Sequence, residues 1–289
     1  MYAHDGRPVV AGYDGSKASR QALQWGVSEA RTRFVPLVVC HAWQWLYPMP
    51  PVSPETLEAV RRMGQHVLNA GVSLARSMAP RLEVVERLEM GSPAVVLVSE
   101  SSAAELVTVG PRGTGGFKEL QIGSVAMQLA AHSYCPVAVV REPDRPATGR
   151  VVVAVEGAGP ERSGIGVAFE EARLRQASLT AICLCPEDMD DTRQAATRFY
   201  NTVSVWEEKY PGVAVDTSVE TRPATAVLHG AAEHADLVVV NGRGEDDPIE
   251  LPLGVLSQSL LRGASCTVIV IPDRMSAASS RAATRVPPG

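Results

Sequence analysis

The strongest constraint on this chain is that one order of short apolar runs and amphipathic stretches is written twice in succession. In the first copy, the runs at residues 9–13, 37–40, 82–88, 106–109 and 135–140 read as strands. Between them, residues 17–32 place Ala18, Ala22, Trp25, Gly26 and Ala30 on one helical face. A longer stretch does the same with Leu57, Val60, Gly64, Val67, Gly71, Leu74 and Met78. Ser92 and Pro93 form a favourable cap and first-turn pair, and Gly123 and Ser124 open a further helical pattern. The second copy has strand-like runs at 151–155, 179–184, 213–219, 237–240 and 266–271, with helices at 161–176, at 191–209 and after Pro223. Strands of this length alternating with helices imply a mostly parallel sheet covered on both faces. The chain thus reads as two α/β domains, 1–142 and 150–272, joined by a polar, proline-containing linker. Residues 273–289, rich in Ser, Ala and Pro without periodicity, read as a disordered tail.

Composition narrows the function classes. A net charge of −5 argues against broad binding to nucleic acid. No apolar run approaches the length of a membrane helix, and the start of the chain lacks the apolar segment of a secretory signal. The expectation is therefore a cytoplasmic protein. Five cysteines are scattered and include no Cys-x-x-Cys, which favours reduced core thiols over disulfides or a metal cluster. Cys183 and Cys185 fall on one sheet face. The six histidines show no metal-ligand spacing, so no metal site is expected.

One segment carries chemistry. The apolar run ending at Val109 is followed by Gly110-x-x-Gly113, nine further residues, and then Gly123, Ser124 and Val125. Glycines let main-chain N–H groups approach a ligand closely, and a helix N-terminus supplies unpaired donors with a partial positive charge. Strand, glycine loop and helix start together suit a polyphosphate. In a doubly wound sheet such a loop would meet the end of the first strand, Gly12-x-Asp14, where the strand order reverses. Turn chemistry for the glycines and a helix cap for Asp14 are the plainer readings of each residue alone.

Asp14-Gly15-Ser16 after the first strand, the Gly-two-Gly-nine-Gly-Ser spacing and the closing run from Cys135 to Val140 closely resemble the universal stress protein family, in a tandem form. The resemblance implies two doubly wound five-stranded parallel sheets of strand order 3-2-1-4-5, each an adenine-nucleotide alpha-hydrolase-like domain. It also implies ATP binding, with or without Mg2+, and homodimerisation through the closing strands. Carried over by residue, it places Asp14 at the ribose or adenine side and Gly12 and Ala42 along the adenine pocket. Gly110 and Gly113, beside Val109, would offer amides to the phosphates. Gly123, Ser124 and Val125 would form the helix-start cradle, with Arg112 as a further phosphate partner and Lys118 in the loop.

The second copy departs from this pattern. Asn241 stands where Gly110 does, Val255 where Ser124 does, and Glu156 where Asp14 does. Gly244 and Gly254 keep the nine-residue spacing, but Glu245, Asp246, Asp247 and Glu250 fall between them. Like charges a few ångströms apart cost on the order of a kcal/mol per pair, so ATP is expected mainly in the first domain. A Mg2+ ion would invert that sign. The chain holds no Gly-x-x-x-x-Gly-Lys-Ser/Thr, and no residue pair stands out as a general base, so no catalytic residue is assigned. Two readings follow: a nucleotide-dependent stress-response or signalling module acting on a protein partner, and a slow ATP-hydrolysing enzyme.

Overall fold

The computed structural model describes residues 6–45, 53–114, 121–142, 145–156, 164–185, 189–243 and 252–273, with the backbone alone at 189–191. The chain divides into two compact units. One is His4–Leu129 with Val137–Arg141, and the other runs from Glu142 onward together with Ala130–Pro136. The proposed tail lies almost wholly outside the described residues.

The first half runs β1 (Val9–Gly12), α1 (Lys17–Arg33), β2 (Leu37–Trp43), α2 (Pro54–Met78), β3 (Val84–Met90), α3 (Pro93–Glu100), β4 (Leu106–Val109), α4 (Ser124–His132) and β5 (Val137–Val139). All its ladders are parallel, and the strands lie in the order β3-β2-β1-β4-β5. The second half repeats this with β6 (Arg150–Glu156), α5 (Ile165–Arg175), β7 (Ser178–Leu184), α6 (Met189–Lys209) and β8 (Val215–Glu220). It continues with α7 (Ala224–Ala232), β9 (Leu237–Asn241), α8 (Val255–Gly263) and β10 (Thr267–Ile271). Its strands lie in the equivalent order β8-β7-β6-β9-β10. Central strands β1, β4, β6 and β9 are almost entirely buried, as expected of runs of Val, Leu and Ala covered on both faces. Strand β3 has no fully buried position, its residues being half-buried or exposed. It extends to Met90, and β2 to Trp43, because the two strands keep pairing past the apolar run of β2.

Details of the repeat persist in the packing. Helix α1 ends on Phe34 in the left-handed region (φ 58°), and α5 ends on Gln176 in the same way (φ 53°). The last turn of each carries an ion pair on a buried glutamate, Glu29–Arg33 in α1 and Glu171–Arg175 in α5, with Arg33 buried and Arg175 half-buried. Arg33 also reaches Glu105 at 3.1 Å, so its guanidinium is shared between α1 and the turn before β4. On β4 the buried Thr108 hydroxyl donates to the Ala22 carbonyl of α1 (3.2 Å), which satisfies that hydroxyl beneath the helix.

Asp236 anchors the entry into the second half. Its carboxylate accepts from the amides of Thr148 (2.7 Å), Gly149 (2.7 Å) and Arg150 (3.3 Å) and from the Thr148 hydroxyl (3.1 Å). Partial burial acts to raise its carboxyl, but the Thr148 and Gly149 amides outweigh that and hold it below the usual 3.8. A lowered carboxyl contributes stability above the unfolded value and loses it as pH falls through the folded one. Asp236→Asn is therefore expected to flatten the acid dependence of the urea midpoint between about pH 5 and pH 2. At neutral pH it is expected to cost about 1 kcal/mol, modest because the group is solvent-screened. An unchanged acid slope would count against the anchor.

Candidate functional site

Strand β1 is flanked by β2 on one side (Gly12 opposite Cys40) and by β4 on the other (Ala11 opposite Thr108). Strand order therefore reverses between β1 and β4, and a crevice opens beyond their carboxyl ends. Gly12 closes β1 at the floor of this crevice. A Cβ placed there would stand 2.9 Å from Leu97 Cδ1 and 3.0 Å from Val109 Cγ1, so the close approach of α3 and β4 depends on glycine.

Asp14 follows two residues later and works on both sides of the crevice. Its Oδ1 accepts from the Ser16 amide (3.0 Å), and its Oδ2 accepts from the Thr114 amide (2.7 Å), a residue of the loop after β4. Gly113 is pressed against the same carboxylate, where a Cβ would collide with Oδ2. Burial acts to raise the Asp14 carboxyl. Hydrogen bonds from Ser16, the Thr114 amide and Ser19 together outweigh it and hold the group below its ordinary value, so Asp14 is ionised at neutral pH. The helix cap itself falls on Ser16, whose side chain accepts from the Ser19 amide, and not on Asp14. Asp14 is left available to tie the loop to β1.

Strand β2 contributes its end from the other side. The Tyr13 amide donates to Cys40 O (2.9 Å), and His41 Nδ1–H donates to Tyr13 O (2.8 Å). Ala42 sits half-buried beside them, in register with Glu89 of β3 and one strand removed from β4.

After β4 the backbone presses on α1. A Cβ on Gly110 would meet Ala18 Cβ at 2.7 Å and the Ala18 carbonyl carbon at 2.8 Å. Pro111 O accepts the Gly123 amide (2.7 Å), which closes the neck of the loop and aims the start of α4 back at it. The Gly123 amide is thereby used inside the protein, which leaves Ser124 and Val125 as the next amides at this helix start. Met127 N–H bonds to Gly123 O (3.2 Å), so the Ser124 and Val125 amides have no acceptor within the helix. Arg112, Gly113, Thr114 and Ser124 are exposed at this mouth. The rest of the loop, including Lys118, lies outside the described residues.

Sequence reasoning did not single out Ser19, Leu97 or the His41–Tyr13 bond as parts of the site. The spacing of Asp14, Ser16 and Ser19 is a readable helix-start signal. The contacts of Leu97 and His41 arise only from packing.

The equivalent place in the second half has the same neck, since the Gly254 amide donates to Gly242 O (2.8 Å). Its chemistry differs. Ala154 replaces Gly12 in register, Asn241 replaces Gly110 and receives a Ser257 hydroxyl on its carbonyl (2.5 Å), and Val255 stands exposed where Ser124 stands. Gly244 and the acidic residues Glu245, Asp246, Asp247 and Glu250 lie outside the described residues.

Against known families, the chain matches one model twice, over residues 6–141 and 148–272, that of the Universal stress protein family. The chain belongs to the universal stress protein family. Universal stress protein Rv2005c of Mycobacterium tuberculosis is 31% identical in an alignment 288 positions long that covers 91% of this chain and 96% of that protein. Universal stress protein Rv2624c of the same organism is 29% identical over 268 residues, covering 92% and 96%. Among solved structures, a universal stress protein of Archaeoglobus fulgidus aligns with a TM-score of 0.71 at 20% identity. That alignment covers 92% of this chain and 96% of the archaeal one and shows a shared fold.

Proposed function

We propose that the first half of this universal stress protein binds ATP at the β1–β4 crevice and acts as a nucleotide-dependent stress-response module. The observation that carries the reading is the Asp14 latch, an ionised carboxylate that holds the glycine loop across the point where strand order reverses. A ribose hydroxyl donating to this carboxylate would join or replace its present bonds to Ser16, Ser19 and Thr114. The negative charge at Asp14 directs phosphates away from itself and toward the N-terminus of α4. There the Ser124 and Val125 amides, the Ser124 hydroxyl, the loop amides at Gly110 and Gly113, and Arg112 would meet them. Gly12 and Ala42 would border the base. ATP is assigned to this half because Asn241, Val255 and Glu156 replace its glycine, hydroxyl and aspartate in the other.

A loop tied down by one carboxylate can report occupancy to a protein partner if the partner's affinity differs between the empty and filled forms. Binding without turnover is the favoured activity. The bonds of Asp14 to Ser16 and Thr114 suit positioning better than proton abstraction from water. Cytoplasmic residence and pairing of two chains belong to the same reading. Among the described residues no helix is long and apolar enough to cross a membrane.

Calorimetric titration of the full chain with ATP, with and without Mg2+, tests the proposal. One site per chain is expected. Asp14→Ala is expected to weaken it about tenfold or more, as for loss of a charge-assisted bond, and Ser124→Ala by a smaller factor. Absence of heat would overturn the reading, two equivalent strong sites would overturn the asymmetry between halves, and rapid phosphate release would favour the enzyme.

A further inference from the structure

We propose that Cys183 and Cys185 form a reversible dithiol–disulfide site, oxidised by a hydroperoxide, at the carboxyl end of β7. Their sulfurs lie 3.2 Å apart, so one thiol already donates to the other. Alternation along the strand puts residues two apart on the same face. Cys183 is fully buried, and Cys185, one residue past β7, is half-exposed. The two sulfurs therefore divide into an inner and an outer member.

The backbone holds the pair in place. Cys183 is in register with Val155 of β6 and Val219 of β8, and the Cys185 amide donates to Glu220 O (2.9 Å). Two residues of extended strand span roughly 6.5 Å, the long end of the backbone separation that a disulfide tolerates. A bridge of this kind belongs with the readily reduced, regulatory disulfides rather than with structural staples. The pair is also particular to the second half. The strand registers place His41 and Trp43 of β2 at the corresponding positions of the first half, where His41 bonds the Tyr13 carbonyl.

The chemistry balances with a hydroperoxide as the two-electron oxidant. The outer Cys185 thiolate attacks the distal peroxide oxygen, the O–O bond breaks, and the released alkoxide or hydroxide leaves with a proton. Cys185 is then a sulfenic acid. The Cys183 sulfur displaces its hydroxyl, the S–S bond forms, and the thiol proton departs with that hydroxyl as water. Burial, with the adjacent Cys185 thiol, pushes the Cys183 thiol well above its ordinary value, which keeps it protonated until the sulfenic acid is in place. Cys40, Cys135 and Cys266 are buried. Burial, with Glu100 and Glu89 nearby, pushes the Cys40 thiol up to about 12, so it does not compete.

The full chain treated with hydrogen peroxide and digested with trypsin under non-reducing conditions provides the test. Residues 176–193 form a single tryptic peptide that carries both cysteines. That peptide is expected to lose two hydrogens, two of the five thiols are expected to disappear, and dithiothreitol is expected to restore both. Cys183→Ser is expected to halt at a dimedone-reactive sulfenic acid on Cys185, and Cys185→Ser to abolish the reaction. The wild-type measurement stands without either variant. An unchanged peptide while other thiols are consumed, or chain-to-chain disulfides as the sole product, would overturn the proposal.

Discussion

Replacing Arg33 with alanine is expected to lower stability by about 3–5 kcal/mol, because it strands a carboxylate out of water. The Arg33 side chain is 4% exposed and that of Glu29 is 7% exposed, so neither charge is solvated once its partner is gone. Glu105, at 22%, has some access to water and is expected to suffer less. The cause is desolvation rather than the lost attraction alone. The double variant Glu29→Leu with Arg33→Met should therefore recover most of the loss. Urea unfolding of the full chain, followed by tryptophan fluorescence, reads both. An Arg33→Ala midpoint equal to wild type would show that the pair is solvated after all. The same logic applies to Arg175→Ala, which exposes Glu171 (side chain 2% accessible) to the same penalty.

Gly110→Val is expected to remove ATP binding and to cost at least about 1–3 kcal/mol, as overpacking in a close contact does. The added carbon would meet the Ala18 backbone at 2.8 Å. Backbone within a helix cannot rotate aside, so α1 or the loop must shift. Gly113→Ala is expected to act differently. Its methyl would collide with the Asp14 carboxylate, a side-chain group that can turn away, so the latch to Thr114 breaks at little cost to stability. Gly123→Ala is the control, because its nearest contact is Pro111 O at 3.4 Å. Calorimetry and urea midpoints on the three variants should rank affinity and stability differently. Full ATP affinity in Gly110→Val would place the nucleotide elsewhere.

The site was legible in outline because its parts are local signals. A strand ending at Val109, glycines at 110 and 113, and a helix start at Ser124 each follow from backbone preference over a few residues. Two local details came only with the folded chain. The cap falls on Ser16, against the plainer reading of Asp14 as a cap, and Asp14 instead bonds a loop 100 residues away. The Gly123 amide, at the helix start that the resemblance places around the phosphates, closes the loop neck on Pro111. Sequence spacing shows where an amide stands in a helix start. Which acceptor reaches it first depends on the path of the returning chain.

By itself the sequence determined the two-copy α/β plan, the position of most strands and helices, and the chemical asymmetry between Ser124 and Val255. These follow from periodicity and residue type, which act over single turns and strand pairs. Only tertiary structure decided which charges are buried at Glu29–Arg33 and how closely the loop after β4 presses on Ala18. It also set the inner and outer exposure of the Cys183 and Cys185 thiols. Burial and distance are collective properties: they depend on what the whole sheet and its covering helices exclude, and no short window of residues carries that information.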